Sequence, residues 1–344
     1  KKNKEFYDLM QAEWRPYVMF NHNSNFRSKI VNTDIYGLRF NNLNKKYENK
    51  PESIFKENNK KYCAVVLGNS TAFGEGSSND QNTISNILSK NSKIHFYNFC
   101  GRGFTGYQEL MNLQLLIHKL RNLKKIIIIS GLNDSIIPFY TKDYTAHNTP
   151  IYGYNLFKHA MASSVTSWKK KCLEFFLKLF FSKKINFKAL KRTSFFDQLK
   201  IVKQINFLKE KKKEKNIDSY KEIIERNFHL MSILQKSTKA KIYFYLQPVG
   251  SWCKKKKTKE EKILFDEEGK NEELQRIYQH VDKKKYSVVK NTIKKAAKKY
   301  QIKFFDLNEV LSAKKYNKDW FFISRFHIND NCNKVISMII KKIL

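Results

Sequence analysis

Zinc and redox motifs are missing from this sequence. Its five cysteines (Cys63, Cys100, Cys172, Cys253, Cys332) are odd in number and far apart, and no two form a Cys-x-x-Cys pair. A disulfide framework is not expected; Cys63 and Cys100 fall in apolar, strand-like runs and read as buried thiols. Long apolar runs are missing as well. No stretch approaches the roughly 18 residues needed to span a bilayer, and no signal peptide is visible. The chain opens on Lys1-Lys2-Asn3-Lys4 without a methionine; a fragment is one expectation, and an upstream anchor is one segment that could have been removed from it. The compartment is left open between membrane association through such an anchor and the cytoplasm. Internal repeats are absent.

Acidic residues are scarce: 31 Asp+Glu stand against 67 Lys+Arg, a formal net charge of +36. Such an excess attracts nucleic acid, anionic lipid or an acidic glycan. The basic residues are mostly Lys, however, and the chain is also rich in Asn, Ile, Phe and Tyr, a bias that an AT-rich genome produces by itself. The lysine runs (Lys169–Lys171, Lys211–Lys213, Lys254–Lys257, Lys283–Lys285) are scattered rather than gathered in one block. A solvated surface is therefore weighed above contact with an anionic membrane or polyanion. Specific nucleic-acid binding would rest on charge alone and is not favoured.

What is present describes a globular protein. Hydrophobic residues make up 41% and aromatics 14% of 344 residues, enough for a large core in one elaborated domain or two. Residues 1–60 show little periodicity and read as an irregular N-terminal extension packed on the domain, with a turn over Val31–Arg39. Residues 61–344 then carry the domain. Strands are expected at Tyr62–Leu67, Ile94–Phe99, Ile126–Ser130, Lys241–Gln247 and Ile302–Leu307. Helices are expected at Ser78–Ser89, Tyr107–Arg121, across a charged stretch over 256–300, and at Asn331–Ile343. Alternating strands and helices imply a parallel sheet with right-handed crossovers, and the Ile126–Ile129 run suits a sheet covered on both faces. A Lys/Phe-rich helical insertion at about 139–235 interrupts the rhythm. Within it, Leu173–Phe181 is an aromatic segment with basic flanks, read as an amphipathic core helix ahead of a membrane-interface one.

Four segments carry chemistry. The first is the Gly68-Asn69-Ser70 turn, where an apolar strand breaks into a helical segment. Such a turn lifts a serine Oγ above the sheet edge and offers helix N–H groups to developing negative charge. Gly68 permits the turn, and Gly74 and Gly76 would let backbone approach a substrate. The second, Asn98–Leu110, is a strand ending in the glycine-rich Gly101-Arg102-Gly103 loop, at the edge where open α/β sheets bind ligands. The third is Gly131-Leu132-Asn133-Asp134, whose Asn133 amide can donate to an oxyanion; its bland alternative is a helix cap. The fourth, Asp319–Asn333, holds His327 just before the last helix, placed to reach back as a general base.

In this order the four segments resemble the SGNH/GDSL hydrolase family. Block I matches Gly68-Asn69-Ser70, block II Gly103, block III Gly131–Asp134 and block V the surroundings of His327. Asn32–Arg39 looks like the lead-in of larger members, and Tyr243–Pro248 resembles a strand that many carry before the last block. The resemblance covers about residues 30–138 and 240–344. It implies a flavodoxin-like three-layer α/β/α fold around a central parallel sheet. It also implies a serine esterase or O-acyltransferase in which Ser70 attacks, His327 moves the proton, and Ser70 N–H, Gly103 N–H and Asn133 form the oxyanion hole. Asn69, Arg102 and Asp134 would face the substrate. No metal or organic cofactor is implied, and larger members suggest O-acetyl groups of a surface glycan.

Two departures stand out. Asn69 replaces the acidic residue of block I, and Ser324 stands where members carry Asp three residues before the histidine. That carboxylate fixes the histidine tautomer and stabilises the imidazolium. Ser324 itself, Asp319 or Asp330 could support His327 in its place. A fold that keeps its shape while binding a glycan or polyanion without turnover is the competing expectation.

Overall fold

The computed structural model describes residues 10, 12–42, 53–57, 60–136, 217–279, 281 and 283–344. Five parallel strands form the central sheet: β3 (Tyr62–Gly68), β4 (Ile94–Asn98), β5 (Leu123–Ser130), β6 (Lys241–Leu246) and β7 (Lys303–Asp306). Their spatial order is β4-β3-β5-β6-β7, with every neighbouring pair parallel. This is the flavodoxin-like order, and it reverses direction at β3, between β4 and β5. Ligands of such sheets bind at the carboxyl edge beside that reversal.

Alternation along the strands builds two cores. Val65, Leu67, Ile126, Ile128, Ile242 and Phe244 point to one face, against the Gly106–Leu116, Ile217–Thr238 and Lys283–Lys299 helices. Ala64, Val66, Ile127, Ile129, Tyr243 and Tyr245 point to the other, against the Ile84–Lys90 and Asp330–Ile343 helices. Both faces being covered is why β5 reads as an unbroken Ile run rather than an alternating one. The result is the expected three-layer α/β/α sandwich.

Some boundaries moved for local reasons. The helix expected from Ser78 starts at Ile84, because Asn79 and Thr83 side chains accept N–H bonds from Asn82 and Asn86 and divide the segment into a 3-10 turn and a helix. The charged stretch over 256–300 resolves into helices at Lys259–Gly269, Glu272–Tyr278 and Lys283–Lys299. Residues 139–216 of the expected insertion, including Cys172 and the Leu173–Phe181 segment, lie outside the described residues. Residues 217–235 lie in the Ile217–Thr238 helix. Their Ile224, Phe228 and Met231 are buried against the sheet as part of its helical layer.

In the N-terminal extension, β1 (Ala12–Arg15) and β2 (Met19–His22) form an antiparallel hairpin. Its Val18 and Phe20 pack on Phe104, beside the glycine-rich loop. The Val31–Arg39 turn closes on Asp34, whose carboxylate accepts the Tyr36 and Leu38 N–H groups at 2.8 and 2.9 Å. Among the described residues no helix is long and apolar enough to cross a membrane.

Candidate active site

Ser70 is the first residue of a single helical turn, Ser70–Phe73, at the end of β3. The strand can break there because position 68 is glycine. Its φ is +152°, and a Cβ would lie 2.3 Å from Ile129 O and 2.5 Å from Ala72 Cβ. Asn69 caps the turn, accepting the Thr71 N–H at 3.2 Å. Its amide donates to Gln247 Oε1; Gln247 Nε2 donates to Thr71 Oγ1 at 3.1 Å; Thr71 Oγ1 donates to Phe326 O at 2.8 Å. One chain of hydrogen bonds thus ties the Ser70 turn to the end of β6 and to the loop bearing His327.

Arg39 secures the same turn from below. Fully buried, it donates to Phe73 O (3.2 Å), Gly74 O (3.0 Å) and Ile30 O (2.9 Å), and pairs with Asp80 at 2.7 Å. Gly76 meets the neighbouring loop, since a Cβ there would sit 2.4 Å from Ile323 Cδ1 and 2.5 Å from Ile328 O. Its lack of a side chain serves the approach of protein to protein, not of protein to substrate as expected.

His327 lies in the loop closed by the Phe322–Ile328 bridge, ahead of the helix that Asn329 caps. Its Nε2 is 2.9 Å from Ser70 Oγ. Its Nδ1 is 3.0 Å from Ser324 Oγ, which also accepts the His327 and Phe326 N–H groups at 2.9 and 3.2 Å. When Nδ1 carries the proton, it donates to Ser324 and leaves Nε2 free to accept from Ser70. Neither carboxylate expected as a substitute reaches the ring. Asp330 instead accepts from Ser78 N, Ser78 Oγ and Asn82 Nδ2, while Asp319 contributes its backbone carbonyl to Lys255.

A different carboxylate stands beside the base. Glu75 Oε2 is 3.7 Å from His327 Nε2 and 3.1 Å from Arg102 Nε. Burial pushes its carboxyl up, but the charges of Arg102 and His327 outweigh that and hold it down at about 2. Arg102, expected to face the substrate, enters the site through this pair, with Nη1 donating to Met10 O at 3.3 Å.

The glycine-rich loop is held at both ends. Gly101 N–H donates to Gly68 O at 2.9 Å, and Arg102 N–H donates to His22 Nε2 at 3.1 Å. His22 Nδ1 in turn lies 3.1 Å from Gly37 O, which places its proton on Nδ1. Burial, then the Arg102 charge, lowers this imidazole to about 3, so it is neutral. Asn133 Nδ2 donates to Phe104 O at 2.7 Å, which commits one of its two N–H bonds to the loop. Asp134 does not face a substrate: its carboxylate accepts the Gly106 N–H at 3.0 and 3.2 Å, and burial raises it to about 6. Asn69 is likewise spent on its cap and on Gln247.

The structure therefore brings together Ser70, His327 and Ser324, with the Gly103 loop and Asn133 at the same sheet edge. It turns Asn69 and Asp134 to structural bonds. Sequence reasoning passed over Glu75 and His22. Glu75 had a signal, a carboxylate between two glycines directly after the nucleophile turn. His22 had none, because only the folded hairpin carries it to the loop. Among the described residues no cluster of three His, Cys, Asp or Glu side chains could hold a metal ion.

No protein-family model matches the chain, and no curated protein matches it. Solved structures do resemble it. A lipase/acylhydrolase from Enterococcus faecalis is 10% identical, with 82% of this chain and 94% of that one covered at a TM-score of 0.40. A member of the lipolytic protein G-D-S-L family from Veillonella parvula is 10% identical, covering 82% and 98% at 0.42. The acetyl xylan esterase AlAXEase is 11% identical, covering 82% and 99% at 0.38. At such identities and TM-scores these likenesses carry no argument, and the site stands on its own side-chain geometry. By sheet order and block order the chain resembles the SGNH/GDSL hydrolases.

Proposed function

We propose that the chain is an SGNH/GDSL-type serine ester hydrolase or O-acyltransferase, acting on acyl esters, acetyl foremost. The observation that carries this reading is the 2.9 Å contact between Ser70 Oγ and His327 Nε2, within reach for direct proton transfer. Ser70 attacks the ester carbonyl while His327 takes its proton. The tetrahedral oxyanion is met by the N–H groups of Ser70 and Gly103 and by the second N–H of Asn133. Removing one such donor typically costs about 3–4 kcal/mol of transition-state stabilisation. Collapse of the intermediate releases the alkoxide, which takes the proton from His327, and leaves an acyl-enzyme on Ser70. Water or an acceptor hydroxyl then resolves it by the same relay in reverse. None of these steps calls on a metal or organic cofactor.

An O-acetylated surface glycan is the substrate we propose. The family resemblance implies it, and the basic surface suits an acidic glycan. The test is hydrolysis of p-nitrophenyl acetate together with covalent labelling by a fluorophosphonate. Ser70→Ala is expected to abolish labelling and to lower turnover by about a thousandfold or more. Wild-type protein that neither labels nor turns over would sink the reading.

Ser324 in place of the usual carboxylate favours one second reading, a fold that binds a glycan or polyanion without turnover. That reading expects salt-sensitive glycan binding which Ser70→Ala leaves unchanged, with no labelling of the wild type.

A further inference from the structure

We infer that Glu75 supplies the negative charge that SGNH/GDSL members place on the Nδ1 side of the histidine, delivering it instead beside Nε2. This inference rests on the hydrolase reading above. Ser324 Oγ contacts Nδ1 but is a neutral hydroxyl, and it also lies against the Phe326 and His327 N–H groups. It can orient the ring; it cannot balance a cation. Glu75 Oε2, at 3.7 Å from Nε2, can.

The surroundings explain why Glu75 stays in that role. Arg102 Nε holds the same oxygen at 3.1 Å and keeps the carboxyl ionised. His22, the other titratable group facing Glu75, is buried and neutral. From the Lys259–Gly269 helix, Glu268 also faces His327, but its Oε2 accepts the Arg325 N–H at 2.9 Å and burial raises its carboxyl. Arg325 lies against Glu268, not against Nε2. Glu75 is therefore the carboxylate that an ion-pair contact sets beside the reacting nitrogen, while Glu268 is bonded to the Arg325 N–H.

The Ser70 O–H bond breaks as its proton moves to Nε2 and the Oγ–carbonyl carbon bond forms. The ester C–O bond then breaks as Nε2 returns that proton to the leaving oxygen. Glu75 stays ionised throughout and takes no proton. Its charge stabilises the imidazolium while that cation exists, which is the interval spanning both transition states. Sitting on the Nε2 side, Glu75 also lies next to the path of the leaving or attacking oxygen, where a classical carboxylate would be a ring-width away.

The test is the full chain assayed for p-nitrophenyl acetate hydrolysis from acid to neutral pH, with fluorophosphonate labelling of Ser70 in parallel. Glu75→Gln keeps the shape and removes the charge. It is expected to lower kcat/KM about 10- to 100-fold and to move the acid limb of the profile to lower pH, since the imidazolium gives up its proton more readily. Adding Ser324→Asp in that background is expected to restore much of the loss, by a larger factor than the same change gives in the wild type. Glu75→Gln with the wild-type rate and limb would overturn the inference while labelling upholds the hydrolase reading. A rate loss without limb shift or rescue would also overturn it, leaving Glu75 a structural partner of Arg102. Failure of the wild type to label would overturn the hydrolase reading and this inference with it.

Discussion

The turn that carries Ser70 and the loop that carries His327 meet at the carboxyl edge of the sheet, yet different kinds of contact secure them. The Ser70 turn is fixed from inside. Arg39 and Asp80 form a buried ion pair beneath it, Asn69 and Gln247 are both buried, and Gly68 is pressed against β5. The His327 loop is fixed from its rim. It relies on Ser324 accepting two N–H bonds, Arg325 N–H on Glu268, and the Arg325 guanidinium 4.2 Å over Tyr278. Buried polar contacts cost much when broken and allow little movement; half-exposed ones give way to water. The nucleophile turn is thus held by buried contacts throughout, and the base loop by partly buried ones together with the Thr71 Oγ1 bond to Phe326 O.

Substitution at the two arginines tests this contrast most sharply. Arg39→Met leaves Asp80 buried without its cation, removes the Arg39 donor from Ile30 O, and takes one of two donors each from Phe73 O and Gly74 O, for an expected loss of about 3–5 kcal/mol. Arg325→Met removes a stacked, partly exposed cation and is expected to cost about 1 kcal/mol or less. Urea unfolding midpoints of the two variants give the comparison. Equal losses would show that the base loop is as firmly built as the nucleophile turn.

Acid should weaken the nucleophile side first. His22 braces the glycine-rich loop and is held neutral, with burial and then the Arg102 charge lowering it from 6.5 to about 3. In the unfolded chain it charges near its ordinary value, so between those limits the unfolded state binds the extra proton. Its stabilising contribution is complete above pH 6.5 and drains away as pH falls, by up to about 1.4 kcal/mol per pH unit. The difference in unfolding free energy between wild type and His22→Gln isolates this slope, because Asp34, Asp134 and His95 titrate in both proteins. A difference that stays constant from pH 7 to pH 4 would remove His22 from the account.

The same contrast explains what the sequence disclosed. Strand positions, the parallel sheet and the order of the four blocks were legible because burial on both faces leaves an Ile- and Val-rich signature, and tight turns leave glycine. Ser70 and His327 were singled out by the order of the blocks and the resemblance it carries, and Ser324 was one of three candidate supports for the ring, beside Asp319 and Asp330. Asn69 and Asp134 misled because a buried cap and a substrate-facing amide or carboxylate use the same residue types. Only the partners, Gln247 and Gly106, decide between them, and both are distant in sequence. Glu75, His22 and the role of Arg39 lay in tertiary contacts across 252, 80 and 41 residues.

The smallest expected effect falls at Ser324, and it bears most directly on where the site keeps its charge. Ser324→Ala removes a neutral hydrogen bond to Nδ1 at the half-exposed side of the ring, where water can take up the Phe326 and His327 N–H groups. A bond of that kind contributes about 0.5–1.5 kcal/mol net, so kcat/KM for p-nitrophenyl acetate should fall only about three- to tenfold, with labelling of Ser70 retained. Loss of a true triad carboxylate costs about 10⁴ in the serine-protease case. A fall of a thousandfold in Ser324→Ala would mean that the hydroxyl fixes the tautomer as strongly as a carboxylate does, and the base loop would then be the rigid partner of the pair. A fall within tenfold keeps ring orientation at Ser324 separate from charge at Nε2, and the division of labour between loop and turn stands.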